Sequence, residues 1–206
     1  MKDVRPSRKV PVRPVLECRL TPLKGPREIT TARLLLVEPA LDDAAEVYER
    51  YASDREVTRF LGWPRHQSLA ETEAFLTFSA AEWKRWPAGP YLIRARGDRR
   101  LLGGTGLGFE TPDQAVTGYV LAKDAWGQGF ATEALTAMVD VARATGVTQL
   151  YALCHPQHRA SGRVLEKCGF VRNVEWSQLT EFPNLAPGVL QEVLRYEIDL
   201  TPQRIS

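Results

Sequence analysis

Cysteines, long apolar runs and an excess of charge of either sign are all scarce in this chain of 206 residues. Its three cysteines, Cys18, Cys154 and Cys168, are odd in number and widely spaced, which excludes a disulfide framework and a tetrahedral zinc site. No stretch reaches the roughly 18 apolar residues of a membrane-spanning helix, and no signal-peptide run opens the sequence. The 27 basic and 25 acidic residues argue against a dedicated nucleic-acid binder. We therefore expect a cytoplasmic protein without a metal, a membrane association or a nucleic-acid partner.

Basic residues and prolines are concentrated near the N-terminus. Residues 1–28 carry eight basic and three acidic side chains, and five prolines there exclude a continuous helix. This pattern predicts a basic, proline-rich arm over residues 1–28, a folded domain over 29–200 and a C-terminal tail over 201–206. The arm either lies on its own domain or a neighbouring subunit, or it tethers the protein to RNA or a ribosome. A homodimer formed through the sheet or the arm is compatible with the sequence.

Hydrophobic periodicity in the remainder predicts a chain of alternating helices and strands. Strands are predicted over Arg33–Val37, Tyr91–Ala95, Leu101–Phe109, Ala115–Leu121, Gln149–His155, Phe170–Ser177 and Gln191–Ile198, and helices over Asp42–Tyr51, Ser68–Trp86, Gln128–Thr145 and His158–Lys167. A helix joining the strand that ends at Leu121 to the next strand implies a parallel crossover within a mostly antiparallel sheet. The fold class is therefore α/β (α+β), and a slot is expected where the two parallel strands diverge.

Three local features refine this outline. A short turn of helix is predicted over Asp54–Leu61, and Ser68 with Glu71 is typical of a capping box. The glycine-rich tract Gly103–Gly108 opens no helix. We interpret this tract as a strand with bulges or a close backbone approach.

The segment Trp126-Gly127-Gln128-Gly129-Phe130-Ala131-Thr132-Glu133 lies between a predicted strand and a predicted helix. Its two glycines let backbone N–H groups approach a bulky anion, and the unpaired donors of the helix start attract phosphate. The sequence holds no Gly-Lys-Ser/Thr loop, and Thr132 stands where a dinucleotide fingerprint needs glycine. The turn thus predicts a pyrophosphate site.

This glycine turn is one of several segments that resemble the GCN5-related N-acetyltransferases (GNAT), and within them the RimJ/RimL-like branch. The matching segments are Ile29–Leu36, Arg59–Pro64, Gly118–Leu121, Trp126–Ala134, and Ser161 with Arg163–Phe170. The resemblance extends from about Ile29 to Ile198. It implies one domain whose mixed, mostly antiparallel sheet is splayed at an acetyl-CoA site and flanked by helices.

The resemblance also implies which residues hold acetyl-CoA. Pantetheine would add beside the splayed strand like a short extra strand, and a backbone N–H near Val120 or Leu121 would receive the acetyl oxygen. The implied cofactor-binding residues are Tyr119, Val120, Leu121, Ala122, Trp126, Gly127, Gln128, Gly129, Phe130, Ala131, Thr132, His158 and Ser161. For His158, which replaces the branch's asparagine, contact with the cofactor and capping of the helix are both open.

Two catalytic candidates follow from the same resemblance. Ser161 matches the branch's serine that donates to the departing thiolate, although a hydroxyl in the first turn of a helix has the same appearance. Glu181 is a candidate general base, with a solvated loop carboxylate or a water relay as the alternatives. Relatives carry ionisable groups where this chain has Val116, Leu165 and Asn173.

On the acceptor side, Phe60 and Trp63 are candidate substrate-binding residues. A core role is the alternative for Phe60, and Trp63, between Gly62 and Pro64, is expected to line a pocket mouth. The resemblance implies transfer of an acetyl group from acetyl-CoA to a protein α-amine or a small-molecule amine by direct attack in a ternary complex. The missing ionisable groups leave a second hypothesis, an acyl-CoA-binding sensor or scaffold that has lost turnover.

Overall fold

The computed structural model describes residues 23–202. Most of the predicted N-terminal arm and the last residues of the predicted tail therefore lie outside the described part of the chain. The arm's last residues contact the domain: Gly25 N–H donates to Pro87 O at 2.8 Å, and the Tyr91 hydroxyl donates to Pro26 O at 2.7 Å.

The described chain forms eight strands in one sheet and four α-helices. The strands are β1 Glu28–Thr30, β2 Leu34–Val37, β3 Pro90–Ala95, β4 Leu101–Phe109, β5 Gln114–Leu121, β6 Gln149–Cys154, β7 Val171–Glu181 and β8 Leu190–Asp199. The helices are α1 Ala44–Val47, α2 Leu69–Arg85, α3 Phe130–Ala144 and α4 Arg159–Lys167. A 3₁₀ turn (Leu41–Asp43) and a π turn (Tyr48–Ala52) flank α1, and a 3₁₀ turn covers Lys123–Ala125.

The sheet order is β1-β2-β3-β4-β5-β6-β8-β7, and β5 with β6 is the parallel pair. The remaining neighbours in this sheet are antiparallel. The crossover between β5 and β6 is α3, whose apolar residues Leu135 and Met138 are fully buried against the sheet. The predicted mixed, mostly antiparallel α/β architecture is confirmed.

The glycine tract of β4 is explained by close approach of its neighbours. A Cβ at Gly106 would lie 2.7 Å from Pro90 Cα on β3, and one at Gly103 would lie 2.0 Å from Val120 O on β5. A register shift between β3 and β4 occurs at Ile93/Arg94. The predicted strand with bulges and close backbone contact is thus confirmed, because any larger residue would push the sheet apart at these points.

The structure differs from the sequence predictions in three local details. Strand β1 was not predicted as a separate strand, because three residues are too few to show a period. Residues 54–61 form turns without a helix. The Ser68 hydroxyl makes no cap hydrogen bond, and Glu71 instead accepts the N–H of Gln67 at 2.9 Å, one residue earlier than a capping box requires.

None of the helices in residues 23–202 is both long and apolar enough to span a membrane.

Candidate functional site

The predicted slot lies between β5 and β6. The two strands pair only from Gln114–Val116 to Gln149–Tyr151 and then diverge. Beyond that point β5 stays bonded to β4, and β6 stays bonded to β8. The second half of β5 therefore presents a free edge toward the slot.

Hydrogen bonds at the two ends of β5 establish which of its residues face this slot. Ala122 N–H donates to Leu102 O at 2.8 Å, on the β4 side. Asp113 O accepts the Gln149 N–H at 3.0 Å, on the β6 side. Because backbone groups alternate along a strand, even-numbered residues bond β4 and odd-numbered residues face β6 and the slot.

This alternation distinguishes the two oxyanion candidates. The N–H groups of Tyr119 and Leu121 face the slot, whereas the N–H of Val120 faces β4. The carbonyl of Leu121 accepts the indole N–H of Trp126 at 2.7 Å, and this bond holds the end of the free edge in place. Of the two oxyanion candidates, the Leu121 N–H is therefore the one that faces the slot.

The glycine turn begins directly after this edge. Gly127 and Gly129 have φ of 72° and 81°, which are left-handed values that other residues adopt only with strain. Gly129 is the N-cap of α3, so the helix starts with its dipole directed at the turn. Within residues 23–202, the backbone N–H groups from Gly127 to Thr132 donate to no protein acceptor. Such a row of donors at a helix start fits a pyrophosphate.

An ion pair that sequence reasoning did not single out fixes this turn. Arg33 donates from its N–H and its Nε to the Glu133 carboxylate, at 2.8 and 2.7 Å, and from Nη1 to Gln128 O at 2.8 Å. Thr31 Oγ1 donates to the same carboxylate at 2.6 Å. Burial alone would raise the pKa of Glu133, and these hydrogen bonds outweigh it and hold the pKa below its usual value. The charged carboxylate therefore anchors the first turn of α3 to the connection between β1 and β2.

The other predicted residues of the turn support its shape. The Gln128 side chain donates to Asp124 O at 2.7 Å, and the Phe130 ring lies 4.6 Å from the Arg33 guanidinium. Ala131 is buried against the core at the start of α3. The signal for Arg33 was present in the sequence, because it lies in a segment that resembles the family, but its partner is 100 residues away.

Opposite β5, the first turn of α4 presents Ser161 to the slot. The Tyr119 hydroxyl donates to Ser161 Oγ at 3.2 Å. Burial raises the pKa of Tyr119 to about 12, so the phenol keeps its proton at neutral pH. Burial likewise raises the pKa of the neighbouring Cys154 thiol. The Ser161 hydroxyl thus contacts both the Tyr119 hydroxyl and the Cys154 thiol.

His158 is the N-cap of α4, and its side chain makes no cap hydrogen bond. Its ring lies 4.8 Å from the Phe60 ring, which also stacks on His155 at 5.1 Å. His155 in turn meets Phe182 edge-on at 4.7 Å. Phe60 therefore belongs to an aromatic cluster that joins the loop between α1 and α2 to the end of β6.

Trp63 lies in the loop between α1 and α2, and Glu181 is the last residue of β7. Trp63 is half-buried and packs on His66, with ring centroids 5.2 Å apart. Asn184 Nδ2 donates to Trp63 O at 2.9 Å and to Thr58 O at 2.8 Å, which ties this loop to the β7–β8 hairpin. Glu181 is exposed, and its Oε1 accepts the Gly188 N–H at 2.8 Å within that hairpin.

At the three positions where relatives carry ionisable groups, the side chains of this chain pack in the core or hold the backbone in place. Leu165 is 2% exposed in the core, and Asn173 holds the irregular part of β7 by accepting the N–H groups of Glu175 and Trp176. Val116 packs across from Gly108. No group of three or more metal-ligating side chains is placed to hold a metal ion among residues 23–202.

Known proteins share both this sequence pattern and this fold. The sequence profile of the Acetyltransferase (GNAT) domain matches residues 33–171. An uncharacterized N-acetyltransferase of Bacillus subtilis (strain 168), YoaA, is 28% identical over 147 residues, covering 69% of this chain and 81% of its own.

Two solved structures show the same fold. A GNAT-family acetyltransferase from Bacillus anthracis superposes with a TM-score of 0.72 at 21% identity, over 85% of this chain and 99% of its own. RimL, a ribosomal L7/L12 alpha-N-protein acetyltransferase in complex with coenzyme A, superposes with a TM-score of 0.71 at 20% identity, over 84% and 97%.

Proposed function

The chain belongs to the GNAT acetyltransferase family and uses acetyl-CoA, and on that premise we propose that it acetylates a primary amine by direct attack within a ternary complex. The observation that supports this best is a pair of neighbouring sets of free donors. The slot-facing N–H groups of β5 are followed by the unpaired N–H groups from Gly127 to Thr132. A ligand that pairs like a strand at one end and carries a pyrophosphate at the other matches both parts.

In this proposal, the residues of the slot have separate tasks. Acetyl-CoA supplies an acetyl thioester, whose carbonyl carbon an amine can attack. Leu121 N–H stabilises the negative charge that develops on the acetyl oxygen, because it is fixed at the free edge of β5. Ser161 Oγ–H donates toward the departing sulfur, supported by the Tyr119 hydroxyl behind it. The turn from Trp126 to Thr132 holds the pyrophosphate.

The acceptor amine enters from the side of the α1–α2 loop. Gly118 presents no side chain there, and a Cβ at this position would meet no atom within 4 Å. We assign Phe60 and Trp63 to this opening, because the Phe60 ring contacts His158 at the start of α4 and Trp63 lies in the same loop as Phe60. The acceptor class that we propose is a protein α-amine, as in RimL's name, or a small-molecule amine.

Thiol release from acetyl-CoA across a mixed panel of N-terminal peptides and small amines tests the proposal. Calorimetric titration with acetyl-CoA serves as the control for binding. We expect turnover with one acceptor class. Tight binding with no turnover on any amine would favour the acyl-CoA sensor, and no binding would contradict the assignment of the glycine turn.

A further inference from the structure

The sequence has three histidines, and hydrogen bonding separates one of them from the other two. His155 Nδ1 accepts the Gln157 N–H at 3.2 Å, and its Nε2 lies 3.3 Å from Gln191 Oε1. His66 Nδ1 pairs with Thr72 Oγ1 at 2.8 Å. The ring of His158 has no hydrogen-bond partner in the described part of the chain, although its backbone carbonyl accepts the Ser161 N–H at 2.9 Å.

The position of His158 is as distinctive as its free nitrogens. It lies one helical turn before Ser161, so both side chains project from the start of α4 beside the slot. Its ring contacts Phe60, which belongs to the loop bordering the acceptor entrance. An imidazole between the acceptor entrance and the thiolate donor is where a proton must be removed from an attacking amine.

We propose that His158 is the general base that takes the proton from the acceptor amine; this inference rests on the proposed acetyl transfer. As the amine nitrogen bonds to the acetyl carbon, the carbon–sulfur bond breaks with its electron pair on sulfur. An imidazole nitrogen of His158 receives the proton that the amine loses and passes it to solvent. The sulfur gains a proton from Ser161 Oγ, which regains one from solvent, so one proton moves in net from nitrogen to sulfur.

The surroundings of the ring keep it in the form that can accept a proton. Burial lowers the pKa of His158, and the neighbouring His155 lowers it further. Two further charged or titratable groups lie close by: the Arg59 guanidinium is 5.1 Å from the Phe60 ring centroid, and the Cys154 thiol is 3.6 Å from the His158 carbonyl.

Glu181 is the competing base, and its contacts differ. Its carboxylate is exposed and accepts the Gly188 N–H within the hairpin, as a turn-stabilising side chain does. The matched pair of variants is therefore His158→Asn, which keeps a polar side chain at the helix N-cap, and Glu181→Gln, which keeps the shape and the acceptor oxygen.

The kinetic test compares kcat/KM against pH for the wild type and both variants, expressed per neutral amine so that the acceptor's own ionisation cancels. In the wild type we expect kcat/KM to rise with pH as His158 loses its proton and then to reach a plateau. The midpoint of this rise should lie below the usual histidine pKa of about 6.5. In His158→Asn, the rising limb of the pH profile should disappear and kcat/KM should fall about 10²–10³-fold, while the acetyl-CoA Kd stays within about twofold of the wild type. Glu181→Gln should retain both the rising limb and the wild-type kcat/KM.

Titration of ¹³C-labelled histidines by NMR gives a readout that is independent of turnover, with each signal assigned by a single variant. The His158 pKa should coincide with the kinetic limb, and acetyl-CoA should shift its signals more than those of His66. The proposal is overturned if His158→Asn keeps the limb, if Glu181→Gln loses it, or if the His158 pKa lies elsewhere. If His158→Asn does not fold, His158→Gln takes its place. A wild type that binds acetyl-CoA but acetylates no amine overturns the proposed function, and the base assignment with it.

Discussion

The two sides of the slot are built from different kinds of groups. The proposed donor side consists of backbone: the free edge of β5 and the unpaired N–H groups of the glycine turn. The proposed acceptor side consists of side chains, namely Phe60, Trp63 and His158, which come from separate segments of the chain. Backbone donors serve any ligand with the same pyrophosphate and amide spacing, whereas side chains differ with the acceptor. One fold can therefore keep its acyl donor and change its acceptor.

The largest effect is expected from Gly129→Glu on the donor side. A residue with a side chain is strained at φ 81°, and the added carboxylate repels a pyrophosphate. Affinity for acetyl-CoA should fall about 100-fold or more, or about 2.7 kcal/mol, measured by calorimetry. The matched control is Gly146→Glu at the far end of α3, where φ is 88° and nothing lies within 4 Å. An equal loss of acetyl-CoA affinity in both variants would contradict the assignment of the glycine turn to the pyrophosphate.

Ser161→Ala tests the chemistry between the two sides. Loss of the hydroxyl should lower kcat about 10²-fold with little change in acetyl-CoA Kd, because the donor acts on the departing sulfur. Tyr119→Phe removes only the hydroxyl that supports Ser161 and should cost about 3–10-fold. An unchanged kcat in Ser161→Ala would refute its role.

Asn184→Ala should disturb the acceptor side alone. Asn184 donates to Thr58 O and Trp63 O and accepts the Arg65 N–H at 2.7 Å, so its loss frees the α1–α2 loop from the hairpin. We expect the KM for the acceptor to rise about 3–10-fold, and stability to fall by about 1–3 kcal/mol. Acetyl-CoA affinity should stay constant.

Asn173→Ala is the control for that variant. Asn173 also makes three side-chain hydrogen bonds, in the irregular part of β7. It should lose similar stability without a change in acceptor KM. If the acceptor KM rises equally in both variants, the effect of Asn184→Ala comes from general destabilisation of the fold and not from a change at the acceptor side.

The smallest effect is expected from Glu133→Gln, which weakens the anchor of the glycine turn without removing it. Acetyl-CoA Kd should rise about 2–5-fold, because one charged hydrogen-bond acceptor for Arg33 is replaced by a neutral one. The folded-state pKa of Glu133 is depressed, so its stabilisation is present above the ordinary carboxyl pKa and is lost as pH falls through the lowered value. The difference in Tm between the wild type and Glu133→Gln should therefore vanish in acid, and a difference independent of pH would contradict the anchor.

Sequence reasoning could predict the backbone shape of the glycine turn because its determinants are local. Glycines at left-handed φ, a helix start and a strand before it lie within a few residues of one another, so the pattern around Gly127 and Gly129 was sufficient for that shape. Phe60 and Trp63 were candidates from the sequence, but the contacts that position their loop could not be predicted in this way. The bonds from Asn184 to Thr58 and Trp63 span more than 120 residues, and no periodicity records them. A separation of 100 residues likewise made Glu133, the partner of Arg33, unpredictable from the sequence.

Residue-resolved amide hydrogen exchange, with and without acetyl-CoA, tests the donor side most directly. The account predicts new protection at Tyr119 and Leu121 and from Gly127 to Thr132, because these N–H groups lack protein acceptors in the described chain. Val120 and Ala122, which bond β4, should show little change. Protection that is uniform along β5, or confined to the β7–β8 hairpin, would contradict the assignment of the slot and the glycine turn to acetyl-CoA.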